Sequence, residues 1–431
     1  MKKLAINGGD KLRSTPFPAY NSIDKQEEIA VLRVLRSGKL STYLGTWHED
    51  FNGGSEVRNL EKNWANYFGV KHAISMNSAT SGLYAAIGAI GIKPGDEVIV
   101  PPYTMSATAS AILLYGGIPI FADIEKDYFC LDAKSIESKI TNKTKAIMIV
   151  DLFGQVHDVE AIKEIALKYN LKVIEDTAQA PGAMYKDKYA GTLCDIGVFS
   201  LNYHKHIHSG EGGIIVTNDD KLAMKLKLIR NHAEAVLSTK GYENKDELLN
   251  MLGFNFRMTE IEAAIANVQL TKLNTLVKQR QENINYLNTR LSKIPCLIMP
   301  KVRKDCTHTY YQHPIIFNKK IAKIHRNKFI EAVKEELPRT LLRDDSKVLL
   351  SYGYVKPLYL QPIFQEKICF DSYPFNLSNT TYNKGDCIVC EDMYENKLVL
   401  NELIRPGMSF DDLDDVIKAF NKVWNNIEEL Y

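Results

Sequence analysis

Three clusters of residues in this chain have the types and spacing for carbonyl chemistry. Lys205 lies in SLNYHKHIHSGEGG (residues 200–213), between a strand-like run at 197–201 and a second apolar run at 214–216, with Gly210, Gly212 and Gly213 available to turn the backbone sharply. A lysine amine forms Schiff bases with carbonyl groups once desolvation or a neighbouring cation lowers its pKa, and it is the usual anchor of pyridoxal phosphate. Alone, a lysine in a His/Lys-rich loop reads as a solvated surface charge. Asp176 follows the apolar run 171–174 and precedes TAQA. A carboxylate at a strand end can face a ligand, and a pyridoxal ring acts as an electron sink only while an aspartate keeps its ring nitrogen protonated. Taken singly, Asp176 is more often a helix cap or a turn residue. In NSATSGLYAAIGAIG (residues 77–91), Ser78, Thr80, Ser81 and Gly82 stand where a strand at 72–76 gives way to an apolar helix. Free N–H groups and the helix dipole suit a phosphate there, although Ser/Thr capping accounts for the same residues.

The elements that must position these groups alternate between strand and helix. Apolar runs at 97–100, 119–122, 146–150 and 171–174 are separated by helical patterns, among which Val159, Ile162, Ala166 and Tyr169 form an amphipathic face. This is the pattern of an α/β fold with a large, mostly parallel sheet covered by helices on both sides. Such sheets bind ligands at the carboxyl ends of their strands, where Asp176 and the Ser78 turn fall. Residues 1–41 read as an N-terminal arm with a first helix at 25–35, and residues 45–54 as a flexible loop. Residues 42–270 form the large cofactor-binding domain, with a polar surface excursion at 234–250. Thr259 and Glu262 make a capping box that opens a long helix reaching 293. Residues 271–431 hold this linking helix and a smaller C-terminal α/β domain, with a strand at 310–317 and a final helix carrying Leu413, Val416, Ile417, Phe420, Val423, Trp424 and Ile427.

With 431 residues, the chain is long enough for two sizeable cores, and its 54 basic and 52 acidic side chains leave no field to attract nucleic acid or a membrane surface. No apolar run is long enough to span a bilayer, and MKKLAINGGD lacks the apolar stretch of a secretion signal, so a cytoplasmic protein is expected. Seven scattered cysteines suit reduced thiols. Cys387 and Cys390 form the one C-x-x-C, with no second pair to complete a zinc site, and no metal is expected. His204, His206 and His208 flank Lys205 at alternate positions, but the glycines beside them favour an irregular loop; His204 or His206 could shape the site or the substrate pocket, with a plain structural role favoured for each.

Four blocks agree in order and spacing with a known family: residues 77–108 (NSATSGLYAAIGAIGIKPGDEVIVPPYTMSAT), 173–185 (VIEDTAQAPGAMY), 200–219 (SLNYHKHIHSGEGGIIVTND) and 253–270 (GFNFRMTEIEAAIANVQL). Over most of its length the chain resembles the DegT/StrS family of pyridoxal-phosphate sugar aminotransferases. The resemblance implies a fold type I enzyme in which Lys205 carries the cofactor as a Schiff base, Asp176 partners the pyridine nitrogen, Gln179 neighbours the ring hydroxyl and Ala178 packs on one ring face. It places Thr80, Ser81 and Ser200 on the phosphate. Asn255 and Arg257 fall in the block that family members offer across a homodimer interface, to the phosphate or to an anionic substrate. Met105 stands where the family usually stacks an aromatic ring on the cofactor. A thioether can serve there, Tyr103 could move in instead, and core packing explains Met105 nearly as well. The implied reaction moves an amino group from glutamate or glutamine to a keto-sugar, with a nucleotide-linked one favoured. The opening NGG and PLYLQPIF (residues 357–364) look more like the branch acting on keto-cyclitols and aminobenzoates. Lys205 counts against a dehydratase, which carries histidine at that position, and together with Asp176 against a regulatory relative that has lost its chemistry.

Overall fold

The computed structural model describes residues 3–46, 48–233, 251–338 and 348–431. A seven-stranded sheet is built from β1 (His72–Met76), β2 (Glu97–Val100), β3 (Ile118–Phe121), β4 (Thr144–Val150), β5 (Lys172–Asp176), β8 (Ile196–Ser200) and β9 (Gly213–Thr217), in the order β1-β9-β8-β5-β4-β2-β3. The short hairpin β6 (Met184–Tyr185) and β7 (Lys188–Tyr189) lies apart from it. Within the large sheet only β9 runs antiparallel to its neighbours. The strands are buried almost throughout, as both faces of a parallel sheet must be. Successive residues serve opposite cores. Ala146, Met148 and Val150 pack with α3 (Ala79–Ile90), α4 (Ala107–Leu114) and α7 (Asp220–Arg230), whereas Ile147 and Ile149 pack with α5 (Ala133–Lys139) and α6 (Val159–Tyr169).

The expected capping box is present: the Thr259 hydroxyl accepts from Glu262 N–H and the Glu262 carboxylate accepts from Thr259 N–H, opening the 32-residue α8 (Glu260–Leu291). The first part of α8 packs on α1 (Lys25–Ser37) and α2 (Ser55–Phe68), and its later part on the C-terminal helix Phe410–Asn425. A second, antiparallel sheet has β10 (Leu297–Ile298), β11 (His313–Phe317), β12 (Leu350–Tyr352) and β13 (Leu398–Asn401) in the order β10-β11-β13-β12. Its core joins Phe317 to Phe329 and Phe420 of the helices Arg326–Glu335 and Phe410–Asn425.

Three local expectations differ from the structure. The strand expected at 310–317 begins at His313, because Thr309 N–H bonds to Gly154 O (3.0 Å) and Tyr311 N–H to Phe153 O (2.8 Å), drawing the preceding residues onto the turn Leu152–Gly154 that follows β4, with Tyr310 at φ 50°. β5 runs on through Asp176, which is paired in register with Val150 and Val198. The loop at 45–54 contains a 3-10 turn, Glu49–Asn52, anchored by the buried Phe51. The excursion at 234–250 lies outside the described residues. No helix among the described residues is long and apolar enough to cross a membrane.

Candidate active site

Because β1, β2, β4, β5 and β8 are parallel, their carboxyl ends share one edge, and that edge gathers most of the residues singled out in the sequence. Asp176 closes β5 and is only 6% exposed. Its Oδ1 accepts from Ala178 N–H at 3.1 Å. Burial pushes its carboxyl up to about 6, against the pull of that N–H and of the nearby Lys205 ammonium. Lys205 sits between β8 and β9 in an irregular loop, braced by backbone bonds from Leu201 N–H to Gly212 O, Tyr203 N–H to Gly210 O and Lys205 N–H to Asn202 O, each 2.9 Å. Its Nζ lies 4.5 Å from the centroid of the Tyr311 ring. His206 is buried and Nε2 donates to Thr309 O at 2.9 Å, so it pins the lysine loop to the segment that carries Tyr311. Burial lowers its pKa and keeps the ring neutral.

Gln179 is engaged at both ends. Its Oε1 accepts from Phe153 N–H at 2.9 Å, and its Nε2 donates to Tyr354 Oη at 3.2 Å. Tyr103 is fully buried, with its hydroxyl accepting from Tyr354 N–H at 2.7 Å. It is therefore a wall of the core and does not swing over the edge in place of Met105. Met105 itself is 60% exposed, which removes the core-packing account.

The start of α3 forms the other end of the site. Ser78 Oγ accepts from Ser81 N–H at 3.0 Å, Ser81 Oγ donates to Asn77 Oδ1 at 2.6 Å, and Thr80 is half-buried in the first turn. The N–H groups of Ala79 and Thr80 have no acceptor within the helix, by its geometry. The turn is pressed closely on the sheet. A Cβ on Gly213 would lie 2.5 Å from Ser78 C and 2.6 Å from Ala79 N, and one on Gly82 would lie 2.9 Å from Val198 Cγ1. Ser200, buried at the end of β8, accepts from Asn202 N–H at 3.3 Å. The 253–257 segment runs beside this turn, with Asn77 N–H bonded to Phe256 O at 2.8 Å and Asn77 Nδ2 3.5 Å from Asn255 O. Asn255 is exposed, while Arg257 donates to Asn231 Oδ1 at 2.8 Å.

Behind Asp176, three buried groups of metal-ligating type meet. His157 Nδ1 donates to Asp151 Oδ1 at 2.8 Å, Thr177 Oγ1 donates to Asp151 Oδ2 at 3.1 Å, and Glu175 lies 3.8 Å from the same imidazole nitrogen. Burial and Asp151 push the Glu175 carboxyl well above the usual carboxylate range. The cluster pins the Thr177 turn that follows Asp176. All seven cysteines are free; Cys387 and Cys390 are buried, and Cys390 N–H donates to Asp123.

A family model described as the DegT/DnrJ/EryC1/StrS aminotransferases matches residues 22–421. The chain belongs to this family. It is 39% identical over 264 residues to a GDP-perosamine synthase of Caulobacter vibrioides, covering 61% of this chain and 69% of that one. An L-glutamine:2-deoxy-scyllo-inosose aminotransferase of Streptomyces fradiae is 29% identical over 433 residues, covering 97% of each. The crystal structure of an aminotransferase from Psychrobacter cryohalolentis superposes with a TM-score of 0.81 at 28% identity, covering 96% of this chain and all of that one. The chain is thus an aminotransferase that works with pyridoxal phosphate. The edge fits that cofactor: an amine, a buried carboxylate and a glycine-tightened helix start stand at or just beyond strand ends on one edge of the sheet. Tyr311, Tyr354 and Phe153 had no signal in the sequence, since two of them arrive from the far side of the chain.

Proposed function

We propose that this aminotransferase moves an amino group from glutamate or glutamine onto a keto-sugar, in nucleotide-linked form. The observation that carries the reading is the juxtaposition of Lys205 with the buried Asp176 at one sheet edge, close enough for the lysine to stabilise the carboxylate. When bound, pyridoxal phosphate supplies an electron sink for the pair left when the C–H bond beside the amine is broken. Lys205 would hold the cofactor through its amine and would give and take the proton at Nζ during the transfer. Asp176 would hold a positive charge on the pyridine nitrogen, electrostatic help where charge develops. Thr80, Ser81 and Ser200 would hold the phosphate with the first N–H groups of α3, and Ala178 and Met105 would flank the ring. Gln179 would stand near the ring hydroxyl, still tied to Phe153 and Tyr354. Asn255 and Arg257 would reach the phosphate or substrate of a second copy in a homodimer.

Similarity to a GDP-perosamine synthase supports the nucleotide-linked acceptor. Near-full-length similarity to an inosose aminotransferase supports a keto-cyclitol as the second reading. Product mass spectrometry with glutamate or glutamine against nucleotide-linked keto-sugars and keto-inositols separates them, and a deoxygenated product would instead mark a dehydratase. Lys205→Ala is expected to abolish turnover and the visible absorbance of the lysine-bound cofactor. Normal transamination by that variant would end this assignment.

A further inference from the structure

A cavity of about 180 Å³ opens beside the lysine loop, lined by Tyr20, His208, Arg280, Tyr311, Glu402 and Arg405 among others. Tyr311 is shared between the two places: its ring forms part of the cavity wall and also lies 4.5 Å from Lys205 Nζ. Arg280 projects from α8 and is only 4% exposed. Its Nη1 reaches Tyr310 O at a long 3.4 Å, and its buried Nε has no hydrogen-bond partner. One turn along the same helix, Asn283 Nδ2 donates to Ile404 O at 3.2 Å and to Arg405 O at 2.9 Å, so α8 sets the second arginine as well as the first. Arg405 Nη2 is 3.3 Å from Glu402 Oε2. Two guanidiniums and one carboxylate are thus among the groups that line the cavity. Holding two like charges near each other, one of them buried with an unanswered N–H, is costly unless an anion completes the set.

We propose that this cavity binds the carboxylate of the amino donor, with Arg280 as its principal ligand and Arg405 as the second cation. The proposal rests on the reading of the protein as a glutamate- or glutamine-dependent aminotransferase. The planar guanidinium fork matches a carboxylate's two oxygens. The volume suits an amino acid and is small beside the 300 Å³ or more, roughly, of pockets for larger ligands. Tyr311 both lines the cavity and lies against Lys205, so the cavity adjoins the place where a donor held at the lysine presents its carboxylate.

The test uses the cofactor-loaded enzyme with Arg280→Gln, Arg280→Lys and Arg405→Gln. Glutarate, a dicarboxylate without an amine, is titrated by the change in cofactor absorbance, and the glutamate half-reaction and the keto-acceptor half-reaction are followed separately. Arg280→Gln is expected to weaken glutarate binding about tenfold or more, the loss of a hydrogen bond to a charged group. It should raise the glutamate concentration for half-maximal reaction by a similar factor, while the KM of the acceptor stays within twofold or so of the wild type. Arg280→Lys should fall between, and Arg405→Gln should shift glutarate in the same direction even if Arg280→Gln fails to fold. Unchanged glutarate affinity in the folded variants would overturn the proposal. So would a loss confined to the acceptor half-reaction, which would assign the cavity to an acceptor phosphate. If the wild type reacts with no amino acid, the proposed function fails, yet glutarate binding still decides whether Arg280 holds a carboxylate.

Discussion

Replacing Asp176 by Asn in the cofactor-free protein should stabilise the fold while destroying its chemistry. The carboxyl is buried at the end of β5, and burial pushes it from the ordinary 3.8 up to about 6. Between those values the folded chain binds more protons than the unfolded chain, so stability falls as pH rises through that window and stays low above it. The shift of roughly two units, at 1.36 kcal/mol each, amounts to about 3 kcal/mol lost by pH 8, of which about half is already lost at pH 5. Asn is nearly the same shape and retains an oxygen for the Ala178 N–H, which is 3.1 Å from Asp176 Oδ1. It removes the charge alone. Urea unfolding of apo wild type and Asp176→Asn, at matched protein concentration, should therefore show the variant more stable by about 3 kcal/mol at pH 8 and by about 1.5 kcal/mol at pH 5. The same variant should lose turnover, because the carboxylate whose burial costs stability is the one that must hold the pyridine nitrogen positive. This is the usual direction of a stability–activity trade. A variant less stable than wild type at both pH values, or a gap that widens toward pH 5, would refute the reasoning.

Two further substitutions test how the site is supported. Gly213→Ala places a methyl 2.5–2.6 Å from backbone atoms of Ser78 and Ala79, so it should push the start of α3 off β9, cost about 1–3 kcal/mol and weaken cofactor affinity more than the loss of stability alone would; dialysis-equilibrium binding of pyridoxal phosphate would reveal a tightly bound cofactor if the close approach does not matter. Glu260→Gln turns into a donor one of the two oxygens that accept from the N–H groups of Gly54 (3.1 Å), Glu56 (2.8 Å) and Val57 (3.4 Å) at the start of α2, leaving N–H facing N–H. It should cost about 1–2 kcal/mol, visible as a lower Tm, and an unchanged melt would show that this cap contributes nothing.

The chemical half of the site could be read in the sequence because its determinants are local. Parallel strands buried on both faces leave near-continuous apolar runs, and the residue that ends such a run, as Asp176 and Ser78 do, is placed at the ligand edge by topology alone. Thr259 and Glu262 announce α8 for the same reason, since a capping box is a four-residue pattern. Tyr103 misled because PPYTM has the composition of a loop, whereas its ring is held under the edge by a bond to Tyr354 N–H, 251 positions away. The strand at 313 was anticipated three residues early because the partners that divert residues 309–311, Gly154 and Phe153, are more than 150 positions upstream. Arg280 is harder still. In LVKQRQENINYL it is one of two cations on a polar helix, and nothing within its own turn distinguishes it from a solvated arginine. Only the fold buries it, brings Arg405 beside it through Asn283 and sets both against the ring that contacts Lys205. The groups proposed to make and break bonds stand at or just beyond strand ends with local signatures, and those proposed to choose the ligand come from α8 and the residues after β13, through contacts that no local pattern encodes. A reading of the residues alone therefore reaches the transaminase before it reaches the molecules on which the transaminase acts.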